Sequence, residues 1–310
     1  MTLLKPLRGI WALLIAFAAF VGLAQAQGAA PLSSDASAAL TERYASNDGV
    51  RIHYVIAGEG PLVVLIHGFG DYSATWDHLI PVLKDRYRVA ALDLRGYNLS
   101  DQPQDQAAYA MAHLVGDVAA VIAAEQRKTA TLIGHDIGGL IAWEFAITEP
   151  EQVDDLVVLS MPHPALLAKY YSRDVRPSNP YAAFSKPRSE DKLTAETLAA
   201  WVGDPVLRTS YIAAFKRSSL KAMMDFFRAN DVGVASAADE ASAKSFNLSL
   251  MIIYGANDAL IPPSAHDGAW RNASNDSALL VVPGAGHFVH QDAPEIVNQS
   301  IGAWLDLHSK

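Results

Sequence analysis

The chain has 310 residues, 24 of them basic and 33 acidic, and no cysteine. A formal charge of −9 discourages nucleic acid and anionic membrane surfaces as partners. The absent thiols exclude disulfides, cysteine nucleophiles and cysteine-ligated metal, and the length suits one large α/β domain with an insertion.

Residues 1–26 carry Lys5 and Arg8, an apolar run from Ile10 to Leu23, and then Ala24-Gln25-Ala26. A basic head, a core shorter than the roughly 20 residues of a spanning helix, and an A-x-A end predict a secretory signal peptide. The mature chain is expected to begin near Gln27, in the periplasm or outside the cell, with 22 basic against 33 acidic residues and a net charge of −11. Residues 27–40 are rich in Ala and Ser and read as a loose leader.

Residues 43–46 and 50–57 flank Asn47-Asp48-Gly49, a hairpin signal. PLVVLI at 61–66 is continuously apolar, as a strand buried on both faces must be, and opens into the loop His67-Gly68-Phe69-Gly70-Asp71. A short helix is predicted over 76–83, a strand over 87–92 and a helix over 110–124, the last from the spacing of Leu114, Val118, Val121 and Ile122. A strand leading to Gly134, a helix from Ile137 to about Thr148 and a strand over 153–159 follow. Residues 161–245 change character: no strand-like run, helical stretches at 194–202 and 218–227, and many aromatics. They read as a helical cap inserted over the carboxyl edge of a sheet, where ligands bind in such folds. The core would then comprise residues 27–160 and 246–310, with strands resuming at 248–254 and 278–282 and a closing helix at 294–308. Strands alternating with helices predict a mostly parallel sheet with right-handed crossovers.

The stretch TATLIGHDIGG at 129–139 organises the chemistry. Glycines stand two residues on either side of Asp136 at a strand-to-helix corner, where backbone approaches too closely for larger residues. A carboxylate at that apex is already ionised at neutral pH and is suited to displacing a leaving group from saturated carbon, an epoxide or a halide, before cleaving an ester. The backbone N–H groups of Phe69 and Ile137 could together form a two-donor oxyanion hole, with His67 a structural hydrogen-bonder in the loop. Asp258 lies just past the strand ending at Tyr254, and His287 sits in the glycine-rich loop after the last strand. The order nucleophile, acid, histidine is that of an α/β-hydrolase triad.

With HGFG at 67–70, DLRGYNLSD at 93–101, GHDIGG at 134–139, GANDALIPP at 255–263 and GAGHFVHQDAPE at 284–295, the chain resembles the α/β-hydrolase superfamily from about residue 43 to its end, in the epoxide hydrolase and haloalkane dehalogenase branch. The resemblance implies the α/β-hydrolase fold: a mostly parallel sheet flanked by helices, with an inserted helical cap. Taken with the chemistry, it implies that Asp136 is esterified by a small apolar substrate. His287, oriented by Asp258, would then activate the water that cleaves the ester, with no metal or organic cofactor. In the resembled dehalogenases a Trp and an Asn grip the halide where this chain has Ile137 and Phe69, and no arginine follows Asp136 to grip a haloacid. An opening epoxide takes a proton from cap tyrosines; Tyr181 matches the first, whereas Phe226-Phe227-Arg228 lacks the second. Tyr170, Tyr171, Tyr211 and His163 are further donor candidates, and Gly70 stands where the family commonly has proline. Epoxide hydrolysis is the expected activity; a dehalogenase with the same nucleophile, or a hydrolase-fold receptor for small molecules, are the alternatives.

Overall fold

The computed structural model describes residues 40–172, 179–233, 248–269 and 276–308. The expected signal peptide, residues 27–39 of the leader read over 27–40, and the cap boundary near 245 lie outside the described residues. Among those described, no helix is long and apolar enough to cross a membrane.

Eight strands form one sheet: β1 (Thr41–Asn47), β2 (Val50–Ala57), β3 (Leu62–Ile66), β4 (Arg88–Leu92), β5 (Ala130–His135), β6 (Val153–Leu159), β7 (Ser249–Gly255) and β8 (Ser277–Val282), in the order β1-β2-β4-β3-β5-β6-β7-β8. The β1–β2 hairpin turns at Asp48-Gly49, and β2 joins β4 antiparallel; the remaining pairings are parallel. Asp48 and Gly49 both have positive φ, the conformation that an Asn-Asp-Gly turn admits.

The central strands have no polar side because both of their faces are covered. Val64, Ile66, Leu92, Leu132 and Val158 point into one buried cluster, while their neighbours Val63, Leu65, Ala91, Ile133 and Val157 point into another. Helices α2 (Met111–Ala124) and α3 (Ile137–Thr148) cover the first face. The one-turn α1 (Ile80–Leu83) and the C-terminal helix (Pro294–His308) cover the second.

The single helix expected over 76–83 is instead a 3-10 turn at Ser73–Trp76 followed by α1. Pro81 is the reason: it has no N–H to give the carbonyl four residues back, so a continuous helix through it is interrupted. Between β6 and β7 lie α4 (Pro164–Tyr171), a 3-10 turn at Pro180–Ala183, α5 (Ala195–Leu198), α6 (Pro205–Arg217) and α7 (Leu220–Ala229). The stretch expected over 194–202 shortens to α5, held by a capping box between Thr194 and Thr197, and that over 218–227 shifts to α7, capped by Ser219. Helices α4 and α6 were not expected; each opens with proline at its first position behind a capping side chain, His163 or Asp204.

This segment rests on loops at the carboxyl ends of β3, β4 and β5. Ser219 N–H donates to Gly96 O at 3.0 Å, and Asn98 N–H to Ser218 Oγ at 2.8 Å. The loop after β4 is itself fixed from below: buried Asp93 accepts from Ser73 N–H and Asn98 Nδ2 and bonds His53 Nδ1, while Arg95 and Asp117 form a buried ion pair. A firm floor and an aromatic roof therefore meet above the end of β5.

Candidate active site

The corner between β5 and α3 places Asp136 at φ 50°, ψ −123°, an uncommon conformation for a residue with a side chain and a local source of strain. The surrounding packing imposes it. A Cβ on Gly138 would meet Ile66 O at 2.3 Å and His67 O at 2.4 Å, and one on Gly134 would meet Gly138 O at 2.4 Å. Glycine at these places lets β3, β5 and α3 close on one another, and the Asp136 side chain is thrust upward in consequence.

Each Asp136 oxygen has partners. Phe69 N–H donates to Oδ1 at 3.0 Å; on Oδ2 converge the Tyr181 hydroxyl at 3.1 Å and His287 Nε2 at 3.2 Å. On the far side of the imidazole, His287 Nδ1 lies 2.8 Å from Asp258 Oδ2, and Asp258 Oδ1 accepts from Leu260 N–H and Ile261 N–H at 2.9 and 2.8 Å. Asp258 leaves the end of β7, His287 leaves the end of β8, and the sheet brings both beside the β5 corner. Ile137 opens α3 directly after Asp136, so its amide is among the first-turn donors without an intrahelical acceptor. His67 bonds Gly68 O through Nδ1 and accepts Leu94 N–H at Nε2, which fixes the loop carrying Phe69.

The electrostatics follow from this arrangement. Burial alone would raise the Asp136 carboxyl, but the hydrogen bond and charge of His287 hold it well below the ordinary carboxylate range. Burial would also lower His287, yet the charges of Asp258 and Asp136 prevail and push it up to about 10. The resting site is thus an aspartate–imidazolium pair. Because the folded pKa of His287 lies above 6.5, its stabilising contribution is complete below that pH and fades as pH climbs towards 10. The depressed Asp136 acts in the opposite sense: its contribution is present above 3.8 and is lost as pH falls. The melting temperature of wild type relative to a His287→Gln variant is expected to peak at about pH 6 and shrink towards pH 10. A difference that stays flat across that range contradicts the charged pair.

Tyr181 is buried in its 3-10 turn, with its N–H held by Asn179 Oδ1. Burial and the charge of Asp136 keep the phenol protonated, well above its usual range. Phe227, standing where the resembled enzymes carry a second tyrosine, stacks on Tyr181 at 5.7 Å between centroids and meets Phe69 edge-on. The other donor candidates have identifiable contacts: the Tyr211 hydroxyl donates to Asp71 Oδ1, the Tyr171 hydroxyl to Leu260 O, His163 Nδ1 caps α4, and Tyr170 packs on Tyr171.

One group passed without assignment in the sequence. Asp71, His135 and His290 each offer a ligand atom within 4.8 Å of the others, all three buried, and among the described residues they are the set that could hold a metal ion. Asp71 is pushed up to about 7, chiefly by burial, and His135 down to about 4 for the same reason. Each lies in a motif read for another residue, and no spacing rule links them.

A family model described as the alpha/beta hydrolase fold matches residues 61–294. Among similar proteins, the AB hydrolase superfamily protein YfhM of Bacillus subtilis is 32% identical over 282 residues, 85% of this chain and 97% of the relative. Epoxide hydrolase 1 of Caenorhabditis elegans is 29% identical over 298 residues, 86% of this chain and 70% of the relative. Among solved structures, a mutant of an epoxide hydrolase from Bacillus megaterium aligns with a TM-score of 0.77 at 27% identity, over 85% of this chain and 100% of that one. Another form of the Bacillus megaterium enzyme, in complex with an inhibitor, gives 0.76 at 26% identity, again over 85% of this chain and 100% of the other.

Proposed function

We infer from a chain that belongs to the alpha/beta hydrolase fold family, and that has an aspartate on its nucleophile corner, that the protein opens epoxides to vicinal diols through a covalent alkyl ester on Asp136. The observation that carries this reading is the set of partners on one carboxylate: a tyrosine hydroxyl and the imidazole on Oδ2, and a backbone amide on Oδ1. Its similarity to proteins named epoxide hydrolases supports the same choice.

The chemistry follows in two steps. An Asp136 oxygen attacks a ring carbon; the carbon–oxygen bond of the epoxide breaks, and the departing oxygen takes the Tyr181 proton. Esterification removes the negative charge that helps hold His287 high, so the imidazolium can return a proton to the tyrosinate and become a neutral base. His287 then takes a proton from water as the water oxygen bonds to the Asp136 carboxyl carbon. The Phe69 and Ile137 amides stabilise the oxyanion. On collapse the imidazolium gives its proton to the departing oxygen, which leaves in the diol and is an original Asp136 oxygen; the carboxylic acid left on Asp136 then protonates His287 and regenerates the ion pair. Asp258 bonds His287 Nδ1 throughout, in the charged and the neutral ring, and keeps the ring aimed at the corner. The scheme calls for no metal or organic cofactor.

Tyr181 is the hydroxyl in contact with Asp136, so its removal should act on the first step. A Tyr181→Phe variant is expected to lower kcat/KM for an epoxide by about 10²-fold, within the usual range for general-acid catalysis. Diol production measured across an epoxide panel checks this. Halide release from a haloalkane panel, with no diol from any epoxide, favours the dehalogenase instead. We place the enzyme outside the cytoplasm on the strength of its basic head, apolar run and Ala24-Gln25-Ala26.

A further inference from the structure

The two loops that serve ester hydrolysis, one presenting the Phe69 amide and the other His287, follow separate strands, central β3 and edge strand β8, yet a single cap side chain touches both. Trp201, in the stretch between α5 and α6, donates its indole N–H to Gly70 O at 3.2 Å. The same ring lies flat on Phe288, with centroids 3.8 Å apart and planes 8° apart. Gly70 directly follows the oxyanion donor, and Phe288 directly follows the base. Neighbouring contacts reinforce the grip on the first loop: the Tyr211 hydroxyl donates to Asp71 Oδ1 at 2.8 Å, that of Tyr72 to Ser210 Oγ at 3.3 Å, and Tyr211 meets the indole edge-on.

Gly70 adds a reason for such a fastening. Its φ is +69°, which proline, locked near −65°, cannot adopt. A Cβ placed there would have no atom within 4 Å, so the turn has open space at this one position. With no proline ring at Gly70, the Trp201 bond is a further tie from outside, added to the His67 bonds and the aromatic packing of Phe69 that hold this loop.

We propose that Trp201 is a positioning residue that joins the Phe69 loop to the His287 loop, so that oxyanion donor and base are aligned together for the water-attack step. The inference rests on the covalent reading above and adds to it which step the cap controls. Trp201's hydrogen bond and ring contacts go to Gly70, Phe288 and Tyr211 and not to Asp136 or Tyr181, which together open the ring, so its loss falls on ester breakdown more than on ester formation.

The test is a single-turnover time course with an epoxide, following ester by intact mass and diol by chromatography, in wild type, Trp201→Phe and Trp201→Ala, with His287→Gln as a reference for blocked hydrolysis. Trp201→Phe keeps a ring for Phe288 but loses the N–H, and should slow ester breakdown by roughly 3–10-fold. Trp201→Ala loses both contacts and should slow it by roughly 30–100-fold, the scale of a misplacement of about 1 Å. Ester formation should change less than about threefold in either variant. Breakdown rates within about twofold of wild type in both variants overturn the proposal, as does an equal slowing of formation and breakdown, which marks general loosening. Should Trp201→Ala fail to fold, Trp201→Phe decides alone. If His287→Gln itself gathers no ester, the covalent reading fails separately; the positioning role is then refuted by an unchanged rate of diol formation in Trp201→Phe.

Discussion

Replacing Asp136 with alanine is expected to abolish diol formation, lowering kcat by at least about 10⁴-fold, because in the proposed mechanism the group that forms the bond to substrate is then gone rather than misaligned. The rest of the site cannot compensate: the Phe69 amide and Tyr181 hydroxyl lose their acceptor, and His287 loses one of the two carboxylates that keep it charged. The imidazole should therefore titrate below its wild-type value of about 10, a shift readable by NMR. An Asp136→Asn variant keeps the shape of the side chain and removes only its charge, so it should be equally inactive, and near neutral pH it should melt below wild type because the charge paired with His287 is gone. Activity surviving in Asn but not in Ala would assign the corner a binding role instead.

His287→Gln should leave the first step largely standing and stop the second. Glutamine cannot take a proton from water, so the ester on Asp136 accumulates, and kcat should fall by about 10³-fold or more. Intact mass should rise by the mass of one bound epoxide. The variant also lacks the imidazolium opposite Asp136, so ester formation itself slows somewhat: the carboxylate loses its charged partner, and the tyrosinate its proton source. Loss of turnover without any mass increase would mean that His287 acts before the bond to carbon forms.

Much of this site is legible in the sequence because it rests on steric rules with fixed spacing. Gly134 and Gly138 flank Asp136 because backbone oxygens leave no room for a Cβ, and that constraint is written into five consecutive positions. Asp258 and His287 are likewise announced by strands that end just before them. The cap was less legible. Helices α4 and α6 have mixed composition, and their clearest signal is local: a capping side chain followed by proline. Trp76–Leu83 looked helical by its apolar spacing, but Pro81 divides it. Contacts such as Trp201 on Phe288, or Asp71 beside His135 and His290, join residues far apart in the chain whose identities carry no pairing signal. Such pairs emerge only when the cap is laid on the sheet.

The proposed covalent step makes a definite statement about oxygen. In a single turnover in heavy-oxygen water, with enzyme in excess over epoxide, the account predicts that the diol gains no label and that the peptide containing Asp136 gains it. A diol labelled in that first turnover beside an unlabelled Asp136 would contradict it, since water would then have attacked the epoxide directly.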